Sequence, residues 1–177
     1  MTRTARLLLM TTFAAVLLAR PALAGPPLLC FPFDIGSAKS LPMLSRDWHA
    51  IDPRYDRSRL VDDTLALLTP ETPVIVRMET LRRATLYGAK DKVRAKALLD
   101  RLQQRASASN ANTPLSVFDF GYLVETYKQA AYLFGGPMEA AQSVNGRELV
   151  KKAAAMSGDP AMDFALAAMK GVQDMPK

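Results

Sequence analysis

Apolar residues recur at helical spacing between Thr113 and Gly135, and no other stretch limits the fold as strongly. One apolar stripe consists of Phe120, Leu123, Val124, Tyr127, Ala130, Ala131 and Phe134. A second apolar edge consists of Phe118, Tyr122 and Tyr132. Because a helix that is apolar on two sides is normally enclosed by other elements, the sequence predicts a central helix. It begins at Thr113-Pro114 and stops at Gly135-Gly136-Pro137, and Gly121 is expected to let a neighbouring backbone come close.

Five further helices are predicted from caps and stops along the chain. Their ranges are Asp56 to Thr69, Thr72-Pro73 to Gly88, Asp91 to Ala106, Asn145 to Ser157-Gly158, and Asp159-Pro160 onward. Pro70 ends the first helix because proline has no amide hydrogen for the next turn. Gly88 is predicted to end the second helix in the left-handed backbone conformation. Alternating β-branched runs are nearly absent, so no strand is expected. The prediction is an all-α single domain of about five to six helices in antiparallel hairpins, forming a small bundle or a short helical-repeat-like stack.

Two of these predicted hairpins have similar sequences. Leu81 to Leu99 aligns with Leu149 to Ala167 at an offset of 68 positions, and each has a helix, a tight turn, an aspartate and a second helix. The offset is twice the roughly 34-residue period of tetratricopeptide repeats. The alternative is that two unrelated helical hairpins share leucine, alanine and a capping aspartate.

The first 24 residues predict a secretory signal peptide. Arg3 and Arg6 precede an apolar run from Leu7 to Ala19, and Ala22-Leu23-Ala24 places small residues where a signal peptidase requires them. The run is shorter than the roughly 20 residues that a membrane-spanning helix needs, so no transmembrane anchor is expected. We therefore expect cleavage after Ala24 and a secreted or periplasmic location.

Residues 25 to 55 are predicted to be an irregular arm, and residues 56 to 177 the helical domain. The arm mixes prolines with aromatic residues and shows no sustained period. It contains Cys30, the only cysteine, which excludes a framework of disulfides within the chain. Two roles remain open for this thiol: a small apolar group that docks the arm on the helices, or the thiol of a covalent dimer.

No pattern in the sequence indicates a catalytic centre, a cofactor or a metal site. His49 is the only histidine, so no zinc cluster is possible through imidazoles alone. Asp62-Asp63 and Asp56 open a predicted helix, where they complement its positive end. Glycine-rich phosphate loops are absent, which gives no support for nucleotide binding.

The charge distribution indicates one candidate interaction face. Removing the predicted leader, which has three arginines and no acid, lowers the formal net charge from +6 to +3. Between Arg77 and Arg105 there are nine basic residues and three acids. The candidate face is Arg82, Arg83, Arg94, Arg101 and Arg105. Helical spacing predicts a solvent ridge of Arg94, Arg101 and Arg105 opposite Leu98 and Leu102, although such charge runs also occur as ordinary solvated faces.

Two classes of function are compatible with these observations. The preferred one is a secreted or periplasmic, non-enzymatic helical interaction or scaffold protein. Its partner would be a protein or an anionic cell-envelope surface, and nucleic acid is not expected because the net charge is small and no aromatic residue interleaves the ridge. The alternative is a small secreted hydrolase whose acid and base groups converge only in the fold, with Cys30, His49 or the aspartates as its members.

Overall fold

Helices dominate the chain in the computed structural model, which describes residues 27–45, 47–108, 113–135 and 139–173. The elements are α1 (Pro27–Cys30), a 3-10 helix (Arg57–Arg59), α2 (Leu60–Leu67), α3 (Val74–Gly88), α4 (Lys92–Ser107), α5 (Pro114–Phe134), α6 (Glu139–Gln142), α7 (Gly146–Ser157) and α8 (Pro160–Gln173). These ranges contain no strand, and only Met43 and Ile51 form an isolated antiparallel bridge. The all-α prediction is therefore confirmed; the predicted signal peptide lies outside the described residues.

Helix α5 is the central element, as the sequence predicts. Phe118 and Tyr122 lie on one side of it, Leu123 and Tyr127 lie on another, and all four are buried. Thr113 caps its first turn by accepting a hydrogen bond from the Ser116 amide at 3.2 Å. Gly135 follows its last turn at a φ of 63°, which a side chain would disfavour. Helices α3, α4 and α7 pack around α5 and enclose it.

Helices α5 and α7 cross in close contact at two glycines. A Cβ atom placed on Gly121 would lie 2.7 Å from the carbonyl oxygen of Gly146 and 2.8 Å from Leu149 Cβ. A Cβ on Gly146 would likewise overlap the Gly121 carbonyl oxygen. The two backbones touch because neither residue has a side chain, which confirms the close approach predicted for Gly121.

Polar caps fix the starts of the helices on either side of α5. Asp91 accepts a hydrogen bond from the Arg94 amide at the start of α4, and Asn145 accepts one from the Glu148 amide at the start of α7. Gly158 ends α7 in the left-handed conformation at a φ of 68°. These three predictions are confirmed. The sequence was sufficient to make them because each depends only on contacts between near neighbours in the chain.

Two predicted boundaries are wrong at the second helix. Thr72 does not cap α3, because its hydroxyl donates to the Leu67 carbonyl oxygen at 2.8 Å and closes the end of α2. Pro73 takes the cap position, and α3 begins at Val74. Gly88 is the last residue of α3 and is not in the left-handed region. A small residue is needed there for packing, since a Cβ would lie 3.1 Å from Ala95 Cβ on α4.

The first predicted helix is divided into two parts. Asp56 accepts a hydrogen bond from the Ser58 amide and caps the 3-10 helix, after which α2 spans only eight residues. Leu60, Thr64 and Leu68 face the core, as their spacing predicts. The Thr64 hydroxyl donates back to the Leu60 carbonyl oxygen, so its burial leaves no polar group unpaired.

Residues 27–45 and 47–55, here called the N-terminal segment, are irregular apart from α1, as predicted, but they form part of the core. Leu28, Leu29 and Leu41 are fully buried. The Leu28 amide donates to Oε1 of Gln129 on α5 at 2.9 Å. In the described ranges no helix is both long and apolar enough to cross a membrane.

Candidate functional site

A buried network of charges on α3 holds the N-terminal segment in place. Arg82 binds Glu79 with two hydrogen bonds, of 2.7 Å from Nε and 2.8 Å from Nη2. Arg83 Nε donates to the same carboxylate at 2.7 Å. Glu79 is fully buried and Arg82 is 1% exposed. Burial disfavours the charged form of Glu79, but the hydrogen bonds and charges of the two arginines outweigh it and hold its pKa below the ordinary value.

Other donors and acceptors of this network bind backbone atoms of the N-terminal segment. Arg82 Nη1 donates to the carbonyl oxygens of Leu29 at 3.0 Å and Trp48 at 2.7 Å. Arg83 Nη1 donates to the Leu41 carbonyl oxygen at 2.6 Å, and Glu79 accepts from the Phe33 amide at 3.1 Å. The network therefore fixes the backbone of Leu29, Phe33, Leu41 and Trp48 to α3, and we call this attachment the clamp.

The hydroxyl of Tyr87 adds a second polar attachment near the end of α3. It donates to the Pro42 carbonyl oxygen at 2.8 Å and accepts from the Asp52 amide at 3.0 Å. Tyr87 is fully buried, and its ring packs against Tyr55 with centroids 4.7 Å apart. Burial raises the pKa of the Tyr87 hydroxyl, so it stays protonated and able to donate at neutral pH.

A cleft of about 270 Å³ opens above the Glu79, Arg82 and Arg83 network. The network forms its floor. Its walls come from the N-terminal segment and consist of Pro32, Phe33, Asp34, Ile35, Gly36, Met43 and Ser45. The cleft combines a buried charged floor with mainly apolar walls, a combination typical of sites for small molecules.

A second buried ion pair joins α3 to α5. Arg77 Nη1 donates to Asp119 Oδ2 at 2.6 Å, and both side chains are at most 1% exposed. Arg77 also donates to the carbonyl oxygens of Thr72 and Thr69. Asp119 Oδ1 has no hydrogen-bond partner within the described part of the chain. Burial raises the pKa of Asp119 to about 6, although the charge of Arg77 opposes the shift.

The five arginines of the predicted interaction face do not lie on one surface. Arg82 and Arg83 belong to the internal network, so their inclusion was wrong. Arg94, Arg101 and Arg105 lie on one side of α4, but at the margin of its buried stripe rather than opposite to it. Arg101 is exposed, whereas Arg94 and Arg105 are half-buried. Arg105 Nη2 donates to the Leu68 carbonyl oxygen at the end of α2, which explains its partial burial.

Cys30 and His49 occupy different environments. Cys30 ends α1, is half-buried, and has a pKa raised by burial, which the nearby charge of Arg82 only partly offsets. His49 is exposed in a turn, with Nδ1 2.9 Å from Asp47 Oδ1. The buried side chains of Leu28 and Leu29, next to Cys30, attach this end of the N-terminal segment to the helices. Pairing of the thiol with another chain stays a prediction.

Two of the aspartates predicted to open the first helix have structural contacts, whereas Asp62 is exposed in the first turn of α2. Asp63 accepts hydrogen bonds from the Tyr55 hydroxyl at 2.9 Å and from Arg59 Nη2 at 3.0 Å. Asp56 caps the 3-10 helix, and its pKa is lowered first by the hydrogen bonds to Ser58. Among the described residues, no three histidine, cysteine, aspartate or glutamate side chains converge to hold a metal ion.

The clamp and its cleft were missed in the sequence because charged residues were assigned to the surface. One available signal was the apolar character of α3 on several sides, since Val74, Val76, Met78, Leu81 and Leu86 do not share one face. Such a helix is surrounded, so some of its charged residues must be buried and paired.

In comparisons with known proteins, no family model, no curated protein and no solved structure matches the chain.

Proposed function

We propose that this chain is a secreted or periplasmic, non-enzymatic helical module that binds an acidic protein through the arginine side of α4. The observation that carries this proposal is the line formed by Arg94, Arg101 and Arg105. Their spacings of seven and four residues place three guanidinium groups on one side of the helix, over roughly 16 Å at 1.5 Å per residue.

The charge of α4 supports this choice of face. The helix has five basic residues and one acid, Asp100, which pairs with Lys96 at 2.6 Å. Arg94 and Arg101 have no ion-pair partner within 4.0 Å among the described residues, so both remain able to bind a carboxylate from outside. Guanidinium groups bind carboxylates with two parallel hydrogen bonds, which favours an acidic segment of another protein.

A membrane surface is the less favoured partner for this face. Attachment to anionic lipid usually combines a dense basic cluster with apolar side chains that enter the interface. On α4 the only large exposed apolar residue is Val93, which is 72% exposed. Arg105 is in addition held by its hydrogen bond to α2, which gives the arginine line a fixed shape.

The binding test compares two charge reversals of equal size. R94E/R101E reverses the arginine line and keeps the contact of Arg105 with Leu68. K151E/K152E, on exposed positions of α7, changes the net charge by the same amount and serves as the matched control. Binding to immobilised polyglutamate is measured at several salt concentrations, with vesicles of anionic lipid as a second probe.

We expect the mature chain and K151E/K152E to bind polyglutamate with affinities within about twofold of each other. R94E/R101E is expected to lose about tenfold or more, as charge-assisted hydrogen bonds are removed. Equal losses in the two variants would contradict the proposed face, because net charge alone would then explain binding. Binding to anionic vesicles without binding to polyglutamate would contradict a protein partner.

The proposed location is tested separately by processing of the full chain. After expression in a bacterium, the extracytoplasmic fraction is expected to contain a protein whose measured mass corresponds to a first residue of Gly25. Retention of the uncleaved chain in the cytosol would contradict the predicted signal peptide.

A further inference from the structure

We infer that the cleft above Glu79, Arg82 and Arg83 binds a small carboxylate that has an apolar body. This site is separate from the arginine side of α4 and does not depend on the function proposed for that face.

Hydrogen bonding on the cleft floor leaves donors in excess. The two oxygens of Glu79 accept four hydrogen bonds, from Phe33 N, Arg82 Nε, Arg82 Nη2 and Arg83 Nε. A guanidinium group has five N–H donors, whereas a carboxylate has about four acceptor positions. Glu79 is therefore saturated, while Arg83 Nη2 has no acceptor among the described residues.

The net charge of the floor also favours an anionic ligand. Two guanidinium groups face one carboxylate, so the floor has one excess positive charge in a largely buried setting. The Arg83 side chain is 19% exposed, which keeps it in reach of a ligand in the cleft. Asp34 on the wall is exposed, and its Oδ1 accepts from the Gly36 amide within its own turn. Its charge is therefore screened by solvent more than the charges of the floor.

The walls and the volume define the rest of the ligand. Pro32, Phe33, Ile35 and Met43 give the walls an apolar character that a second charged group would not match. A volume of about 270 Å³ is near the lower end of the roughly 300–1,000 Å³ range of small-molecule pockets. A small aromatic or short branched monocarboxylate is therefore the expected ligand, and benzoate is a suitable probe.

The experiment titrates the isotope-labelled mature protein with benzoate and follows its amide resonances. Benzamide, which has the same shape without the charge, is the matched ligand control. We expect benzoate to shift the amides of residues 33–36 and 43–45, and benzamide to bind about tenfold or more weakly. Shifts that map elsewhere, or equal binding of benzamide, would overturn the inference.

The variant R83M tests the floor of the cleft. R83M keeps a long side chain but removes the guanidinium group, and it is expected to weaken benzoate binding by about tenfold or more. K152M, which removes an exposed positive charge from α7, is its control and should bind benzoate as the parent does.

Because Arg83 also holds the Leu41 carbonyl oxygen, S45D provides a variant that leaves the clamp intact. The Ser45 hydroxyl accepts from the Asp47 amide at 3.1 Å, a bond that an aspartate can replace while adding a negative charge to the wall. S45D is expected to weaken benzoate binding through like-charge repulsion. Unchanged affinity in both S45D and R83M would overturn the inference.

A carboxylate can also come from the end of a peptide chain. A tripeptide that ends in phenylalanine is therefore titrated beside its amidated form. Binding of benzoate alone supports a free small acid. Binding of the tripeptide, lost on amidation, supports the same carboxylate chemistry presented by a chain end. Absence of carboxylate-dependent binding in both arms would contradict the site.

Discussion

The substitution E79Q tests the clamp on α3 most sharply. Glu79 is fully buried, and it forms ion pairs with Arg82 and Arg83 at 2.7 Å. Glutamine keeps the shape of the side chain but is neutral, and its amide group presents hydrogen-bond donors to guanidinium donors. The variant therefore leaves two buried or half-buried positive charges without their counter-ion.

Removing one partner of a buried ion pair costs about 3–5 kcal/mol of unfolding free energy. A domain of this size typically has about 5–15 kcal/mol in total, so the variant is expected to be marginally stable. Trp48, the only tryptophan, reports on the clamp because its carbonyl oxygen binds Arg82 and its ring stacks on Phe134 with centroids 6.2 Å apart.

The assay is urea denaturation of the mature protein, followed by tryptophan fluorescence and by circular dichroism. D100N is the matched control, because it neutralises a carboxylate that pairs with Lys96 at the surface. Its expected effect is below about 1 kcal/mol. If E79Q changed the free energy of unfolding no more than D100N does, the assigned role of the buried network would be refuted.

Three further predictions concern the α5 crossing, the second ion pair and the free thiol. G121A is expected to destabilise the protein by about 1–3 kcal/mol in thermal or urea unfolding, because the added methyl group meets the Gly146 backbone; a gain in stability, as helix propensity alone predicts, would contradict the close crossing. The pKa of Asp119 is raised to about 6, so its stabilising contribution is complete below its unfolded pKa near 4 and is lost as the pH rises through 6. The unfolding free energy of the parent should therefore fall relative to D119N between pH 4 and 7, by up to about 3 kcal/mol, and a difference that rises with pH would contradict the raised pKa. C30S is expected to abolish any dimer seen on non-reducing gels, and a dimer that persists in this variant would exclude a disulfide through Cys30.

Caps, stops and apolar spacing were sufficient to predict most of the helices. Asp91, Thr113 and Asn145 were identified correctly because a cap bonds to an amide two or three residues away, so its whole environment is in the local sequence. Gly88 was assigned the wrong conformation because its partner, Ala95, contacts it only after the chain turns into α4.

The clamp was not predictable from local patterns. Arg82 binds carbonyl oxygens 53 and 34 residues away, and Glu79 binds an amide 46 residues away. Sequence periodicity assigns charged residues to solvent, and it gives no information on which distant backbone atoms will replace water as their partners. The irregular N-terminal segment was therefore expected to be an arm, whereas its backbone satisfies the buried charges of α3.

The attachment of the N-terminal segment to α3 also determines whether the inferred ligand site forms. The same segment that the arginines hold supplies the walls of the cleft, so the site exists only while the clamp is closed. Variants that release the N-terminal segment from α3 are expected to lose benzoate binding. In the same variants the amides of this segment are expected to lose their protection from hydrogen exchange.

Hydrogen exchange at the amides of Leu28, Phe33 and Asp52 is the most direct test of the claim that this segment is part of the folded domain. Each of these amides donates to a side chain of α3 or α5, namely Gln129, Glu79 and Tyr87. They are expected to exchange as slowly as the buried amides of those helices. Exchange at the rate of an unstructured chain, with α3 and α5 still protected, would contradict the clamp.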